Sequence, residues 1–486
     1  MNLTGKITLP SGFCFDYRNM LGTKRIQPED LVALTGKIKK ATDGVATIRS
    51  AGTVAGHLSK DGSFEPVYFT RMPFIKDGNP NTPDSIRKMQ AFSKHVWQTT
   101  EVVIFLGIGG SYQGNKVLFD VQTGEYWNQQ KPLERKGYPK VYFSGNNLDA
   151  DQSSALLAEI TRQAEYKKFA GQGKTSIMLI PISKSGTTIE PTAAFLYCYE
   201  QLQAQADLFT LDVTVVTDLS TKAPVSPLWQ LAQEYGWTSF DIKEGIGGRF
   251  CVFSDPGLIT AAVVGMDIEA LLAGAQDMEL ACQSTDLAAN PALLNAVLKY
   301  VAAEQYGCEI EVLMPYAMQL KSLGEWYVQL LAESLGKRHN RAGVEINYGR
   351  TPIAAVGTTD MHAQTQQHQD GKRNKVVQFV ELQKNTASVI VGKPFPQVPF
   401  FAQYQALHLD VALRSALEAN AQALSEDCRF NANYQLPQLD AYYIGQLLYF
   451  LMLSIAYEGE LANVDAYDQP GVEAYKKIMK AKLGSN

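Results

Sequence analysis

Val102-Val-Ile-Phe-Leu106 runs directly into Gly107-Ile-Gly-Gly-Ser111, and Ser176-Ile-Met-Leu-Ile180 is followed closely by Ser183-Lys-Ser-Gly-Thr-Thr188. Each is a continuous apolar run that gives way to small or hydroxylated residues and then to a helical pattern. A strand whose successive side chains are all apolar has to be buried on both faces, the condition of a parallel sheet covered by helices. Strand, loop and helix in that order predict βαβ units, and the fold class is α/β. Weaker strand candidates are Val141–Phe143, Val213–Val216, Glu309–Leu313 and Val376–Val380. The strand pattern pauses between about Pro224 and Met266 and resumes after Glu309, so two α/β halves are expected rather than one sheet. The expected divisions are an N-terminal extension over 1–45 that wraps the first half, a first α/β domain over 46–241, a second over 242–437, and a helical C-terminal segment over 438–486. In that last segment an apolar face runs through Leu447, Phe450, Leu451 and Ser454.

The whole chain has the composition of a folded globular protein. Its 486 residues exceed what one hydrophobic core usually serves, and 45% hydrophobic with 19% charged residues lies far from disordered or low-complexity sequence. Lys and Arg number 44 against 49 Asp and Glu, a net charge of −5 with no long basic block, so neither nucleic acid nor an anionic membrane is expected as partner. Six scattered cysteines without a C-x-x-C pair argue against a zinc site and a disulfide framework. No secretory pattern is visible after Met1, and the apolar stretch Leu447–Tyr457 is too short for a bilayer, so a cytoplasmic protein is expected.

The two loops are candidates for holding an anion. In the first, Gly109, Gly110 and Ser111 stand where backbone N–H groups at a helix start can meet a phosphate. It is not a dinucleotide fingerprint, because Tyr112 occupies the third glycine position, and not a Walker A loop, because Asn115-Lys116 follows Gly114. A tight turn that needs glycine would explain this loop as well. The second loop packs Ser183, Ser185, Thr187, Thr188 and the ammonium of Lys184 into six residues. A helix cap would need only one hydroxyl, so this loop favours a phosphate monoester.

Four further segments carry acid–base or charged candidates. Arg249 follows the glycines of Gly245-Ile-Gly-Gly-Arg-Phe250, where a ligand could approach it, although an ordinary ion pair would explain it too. Glu333 ends the apolar helix pattern Trp326–Lys337, and apolar surroundings that disfavour its charge would suit a general base; an exposed helix-end glutamate is the alternative. His362 follows the small-residue loop Gly357-Thr-Thr-Asp-Met, as an acid–base group or a structural histidine. Lys476 lies near Glu473 on a helix begun by Pro470, by itself a solvated face.

Taken in order, GIGGS at Gly107, SKSGTTIEP at Ser183, GIGGRF at Gly245, ESLGK at Glu333, TTDMH ending at His362 and DQPGVEAYK at Asp468 resemble the glucose-6-phosphate isomerase (phosphoglucose isomerase) family in its bacterial form. The resemblance covers the chain from about Val102 onward. It implies two sugar-isomerase (SIS) α/β domains with a C-terminal helical arm, and a homodimer with active sites at the subunit interface. It further implies aldose–ketose isomerisation of glucose 6-phosphate and fructose 6-phosphate in glycolysis and gluconeogenesis, through a cis-enediol(ate), with no metal and no cofactor.

Residue by residue, the resemblance makes Glu333 the base between C2 and C1. His362, supplied by the neighbouring subunit, assists ring opening, and Lys476 acts at the ring oxygen. Arg249 faces the enediolate. Gly109, Gly110, Ser111, Ser183, Lys184, Ser185, Thr187, Thr188, Gln329 and Gln469 hold phosphate and sugar. Departures from the family pattern are Leu335, Tyr112-Gln113 and Cys251, none of which removes a catalytic group. A broader isomerase that also takes mannose 6-phosphate, and a non-catalytic SIS sugar-phosphate sensor, are the competing expectations; the complete set Glu333, His362, Arg249 and Lys476 speaks against the sensor.

Overall fold

A computed structural model describes residues 3–59 and 62–484. It opens with a short antiparallel hairpin, β1 (Lys6–Thr8) and β2 (Cys14–Asp16). Chain contacts divide the protein into two units, one comprising 68–273 with 440–442, the other comprising 1–67, 274–439 and 443–486.

The 68–273 unit is built on a five-stranded parallel sheet. Its strands are β3 (Val102–Leu106), β4 (Lys140–Ser144), β5 (Thr175–Pro181), β6 (Phe209–Thr217) and β7 (Thr238–Asp241), in the order β4-β3-β5-β6-β7. Val102, Ile104 and Leu106 share one core with Leu157, Ile160, Phe195 and Leu202 of the helices Ala150–Phe169 and Ile189–Gln203. The alternate residues Val103 and Phe105 are equally buried, so both faces of the sheet are covered, as the uninterrupted apolar runs require.

The other unit carries β8 (Ile310–Pro315), β11 (Thr351–Ala354), β12 (Lys375–Leu382) and β13 (Phe430–Leu436) in one sheet, with a separate pair β9 (Lys337–His339) and β10 (Glu345–Tyr348). The sheet order is β1-β2-β13-β12-β8-β11, with β13, β12, β8 and β11 parallel and β2 antiparallel to β13.

Two expected divisions differ from this arrangement, and the C-terminal segment, helical as expected, is not of one kind. The N-terminal extension, expected to wrap the first half, falls in the other unit: β2 pairs with β13 through Asp16–Asn433, Phe15–Tyr434 and Cys14–Gln435, because β13 would otherwise leave a row of backbone groups unpaired. The break expected at 241/242 lies instead between 273 and 274, since β7 joins β6 and the chain past Ile242 stays in the same unit. The C-terminal segment is two unlike helices. Ala441–Leu461 is buried almost all round from Ile444 to Gly459, a core helix rather than one with a single apolar face, whereas Pro470–Lys482 has no buried residue. No helix among the described residues is long and apolar enough to cross a membrane.

Candidate functional site

In the 68–273 unit, the first loop leaves β3 and starts the helix Gly110–Thr123, with Gly109 as its N-cap at φ +55. A Cβ on Gly110 would lie 1.9 Å from the carbonyl oxygen of Gly248, and one on Gly114 would lie 3.0 Å from Val252. These glycines therefore let the helix start press against the 3-10 segment Gly248–Phe253, backbone to backbone. The packing joins two motifs about 140 residues apart, and it puts Arg249, 2% exposed, beside the Gly107–Ser111 turn's own support. The Arg249 guanidinium lies 5.7 Å from the ring centre of Phe250. Cys251 is buried and donates its thiol to the Gly110 carbonyl (3.3 Å); burial pushes its pKa up to about 12, so it is inert rather than redox-active.

The second loop, between β5 and the helix Ile189–Gln203, divides its hydroxyls. Ser183 is buried, accepts from the Gly186 N–H (3.2 Å) and donates to Thr188 Oγ1 (3.2 Å). Thr217 Oγ1 holds the Ser183 carbonyl at 2.7 Å and meets Ser226 Oγ at 2.6 Å. Lys184, Ser185 and Thr187 are exposed, and Thr187 donates to Ser185 Oγ at 2.9 Å. Ser183 thus shapes the turn instead of facing outward, because Gly186, at φ +66, brings the chain back over it. Thr188 is the N-cap, yet its side chain makes no capping hydrogen bond, so the helix's first N–H groups are not used up by the cap.

In the other unit, Glu333 ends the helix Lys321–Leu335. It is half-buried, and Gln329 Nε2 donates to its Oε1 at 3.2 Å. Gln329 Oε1 is itself buried with no hydrogen-bond partner among the described residues. Lys337 carries a role the sequence did not disclose. It is 6% exposed and its ammonium donates to the Glu333 carbonyl (2.9 Å) and to the Asp468 carbonyl and carboxylate, the last at 2.7 Å. The end of the Glu333 helix and the segment holding Gln469 are thereby tied together across 131 residues of sequence. His57 supports the same segment: its Nδ1 lies 2.8 Å from Asp465 Oδ2, while Asp465 Oδ1 accepts from the Tyr467 N–H. Burial alone would lower the His57 pKa, but Asp465, Glu65 and Asp468 together raise it. The only hint in sequence was Lys337 beside Gly336; His57, 408 residues from its partner, gave no signal.

The helix that carries Glu333 is anchored by a buried charge network. Tyr327 donates to Glu311 on β8 (2.7 Å), which also receives Lys299 (2.6 Å) and Arg350 (2.8 Å); Arg350 continues to Glu458 (2.9 Å). Although burial favours the neutral acid, Lys299 and Arg350 hold the Glu311 pKa down at about 2.

His362 and Lys476 sit apart from these contacts. His362 is exposed in the first turn of the helix Met361–Asp370, not in a loop, because the Asp360 carboxylate accepts the Val356 N–H (2.6 Å) and turns the chain into the helix. Lys476, on the exposed C-terminal helix, pairs with Glu473 at 3.1 Å. Gln469 is exposed at that helix's N-cap. Ser111 is half-buried in the first turn of its helix. No cluster of three or more His, Cys, Asp or Glu side chains suited to a metal occurs among the described residues.

Comparison with known proteins gives one consistent picture. The family model described as phosphoglucose isomerase matches residues 84–485. A glucose-6-phosphate isomerase of Carboxydothermus hydrogenoformans is 34% identical over 86% of this chain and 84% of its own length. One of Streptococcus thermophilus is 31% identical over 90% of this chain and 92% of its own length. Among solved structures, a glucose-6-phosphate isomerase of Chlamydia trachomatis shares the fold with a TM-score of 0.77 at 20% identity, covering 99% of this chain and 90% of that one. A hypothetical protein of Thermus thermophilus does so with a TM-score of 0.77 at 24% identity, covering 97% and 99%.

Proposed function

The chain belongs to the phosphoglucose isomerase family and is an aldose–ketose isomerase of D-glucose 6-phosphate and D-fructose 6-phosphate; from that premise we propose how its residues divide the work. Glu333 removes the proton at C2 and returns it to C1, through a cis-enediol(ate) whose developing charge faces Arg249. His362 and Lys476 move the proton that opens the ring. The loops at Gly109, Gly110 and Ser111 and at Ser183, Lys184, Ser185, Thr187 and Thr188 grip the phosphate, and Gln329 and Gln469 bind sugar hydroxyls. Holding the non-reacting phosphate fixes the reacting carbons against the base, which is where remote binding energy lowers the barrier.

The observation that carries this reading is the Lys337 bridge. It ties the backbone of Glu333 to that of Asp468, the neighbour of Gln469, which supports reading Glu333 as the base and Gln469 as a sugar contact of one site. The unpartnered Oε1 of Gln329, next to Glu333, supplies an acceptor for a substrate hydroxyl.

Glu333→Gln tests the assignment. Exchange of the C2 hydrogen with solvent deuterium, followed by NMR, is expected to stop while sugar phosphate still binds, and turnover near that of the wild type overturns it. Isomerisation is expected to persist in excess EDTA, since every step assigned above uses side chains of the chain itself.

The working unit in this reading is a homodimer in the cytoplasm. His362 is exposed, the helix Pro470–Lys482 buries nothing, and Phe395, Phe400, Phe401 and Tyr404 lie exposed together, a surface fitted to a second copy. Sedimentation equilibrium is expected to give twice the chain mass; a monomer that is fully active overturns it.

A further inference from the structure

A second basic site lies in the unit that carries Glu333. Strands β12 and β13 begin, and the helices Met361–Asp370 and Leu409–Glu426 end, around a cavity of about 150 Å³. Lys24, Arg373, Lys375 and Arg429 line it together with His368 and Tyr306. None of the residues assigned to isomerisation does.

Part of this charge has an ordinary explanation. Arg373 and Arg429 share Asp427, at 2.6 and 2.9 Å, and Arg429 also donates to the Gly371 carbonyl at a helix end. Lys375 donates to the Lys372 carbonyl and to Asn374 Oδ1. Such contacts suit the negative ends of two helices.

Lys24, exposed and in a left-handed conformation at φ +58, has no ion-pair partner among the described residues, so its charge is met by solvent and is open to a ligand. One group has no ordinary explanation. His368 is 3% exposed, yet its Nδ1 has no hydrogen-bond partner. A buried ring nitrogen left unsatisfied is costly, and one that lines a cavity calls for a ligand atom. Four cations line the cavity; the carboxylates near them are Asp427 between the arginines, Asp370 and Glu426 in the adjoining hollow that the same arginines line, Asp360, whose charge acts on His368, and Asp30 behind the Tyr306 hydroxyl (2.6 Å). Burial, followed by the charge of Lys375 and against the opposing charge of Asp360, lowers the His368 pKa to about 4.

We propose that this cavity binds a small phosphate-type oxyanion through Lys24, Lys375 and His368. The cavity is large enough for a phosphate group and short enough to exclude a hexose phosphate. Its ligand is therefore either the free ion or a phosphoryl group on a small carrier. His368 belongs to the helix whose first turn bears His362, so an occupant would rest against the other end of that helix.

The test uses the full chain with fructose 6-phosphate at saturation, so that the proposed sugar-phosphate loops are filled, and adds inorganic phosphate at constant ionic strength set with chloride. Calorimetry is expected to count one phosphate per chain, and the His368 resonance, one of six histidines, is expected to move along the same binding curve. Lys24→Ala should weaken phosphate binding about tenfold, through loss of one charge-assisted contact, and Lys24→Glu should abolish it, with kcat in both variants near that of the wild type. Glycerol 3-phosphate in a parallel titration separates the sources: tighter binding than inorganic phosphate supports the site with a carried phosphoryl group, and equal or weaker binding supports it with the free ion. The proposal is overturned if the wild type binds no phosphate under these conditions, if His368 does not respond, or if both Lys24 variants bind as the wild type does.

Discussion

The two units hold their candidate residues by different physical means. In the 68–273 unit, Gly110 and Gly248 meet backbone to backbone, and Gly186 folds the second loop over Ser183; shape and neutral hydrogen bonds do the positioning. In the unit that carries Glu333, charges do it: Lys337 on Asp468, His57 on Asp465, and Glu311 between Lys299 and Arg350. Steric positioning is indifferent to pH and salt, whereas positioning by ionised groups is conditional on their protonation. The phosphate loops should therefore keep their shape over a wider range of conditions than the surroundings of the base.

The sharpest way to break this contrast is Gly110→Ala. The added Cβ has no room against the Gly248 carbonyl, and a loss of about 3 kcal/mol or more is expected from overpacking of backbone. Denaturant unfolding would measure it, and the loss should be the same at pH 6 and pH 8; a strong pH dependence would erase the distinction drawn between the units. Next in size is Lys337→Met, which leaves Asp468 and two carbonyls without their buried donor. We expect about 2–3 kcal/mol of stability and about 10²-fold in kcat to be lost, and kcat equal to the wild type would remove Lys337 as the residue that positions Glu333.

Smaller again is Ser183→Ala combined with Thr188→Ala. KM for phosphorylated sugars should rise about tenfold with kcat changed little, and the lost turn hydrogen bonds should cost about 1 kcal/mol. An unchanged KM would assign the phosphate to other groups. The smallest effect concerns His57. Its folded pKa is raised above the ordinary value of 6.5, so its pairing with Asp465 stabilises fully below that value and is lost as pH rises through the raised one. His57→Gln should flatten that part of the stability profile by less than about 1 kcal/mol, and a variant with the wild-type slope would show that another group is responsible.

How much of this was legible in sequence follows the same division. β3 and β5 announce themselves because a strand buried on both faces has to be apolar throughout. β13, Phe430-Asn-Ala-Asn-Tyr-Gln-Leu436, was missed because its polar side chains are satisfied by partners remote in the chain, Asn433 and Gln435 by Glu381 and Tyr434 by Asn295. The hairpin β1–β2 is illegible for a related reason, since its pairing partner lies more than 400 residues away. At the candidate site, residue types were readable and directions were not. Nothing in Ser183-Lys-Ser-Gly-Thr-Thr188 says that the first serine turns inward, or in Glu333-Ser-Leu-Gly-Lys337 that the lysine is buried, because both depend on groups supplied from elsewhere, Ser226 for the Gly186 turn and Asp468 for Lys337.

The pairing of β2 with β13 also sets an order of assembly. A ribosome delivers residues 68–273, with all five of their strands, before it has made the strand that the hairpin at the beginning of the chain needs. The middle of the polypeptide can close on itself while the first 67 residues wait, with Phe13 and Phe15 uncovered, for Phe430–Leu436 to emerge. Residues made ahead of the 68–273 unit are thus among the last to find their place, and the interval in between is when this chain most needs protection from its neighbours.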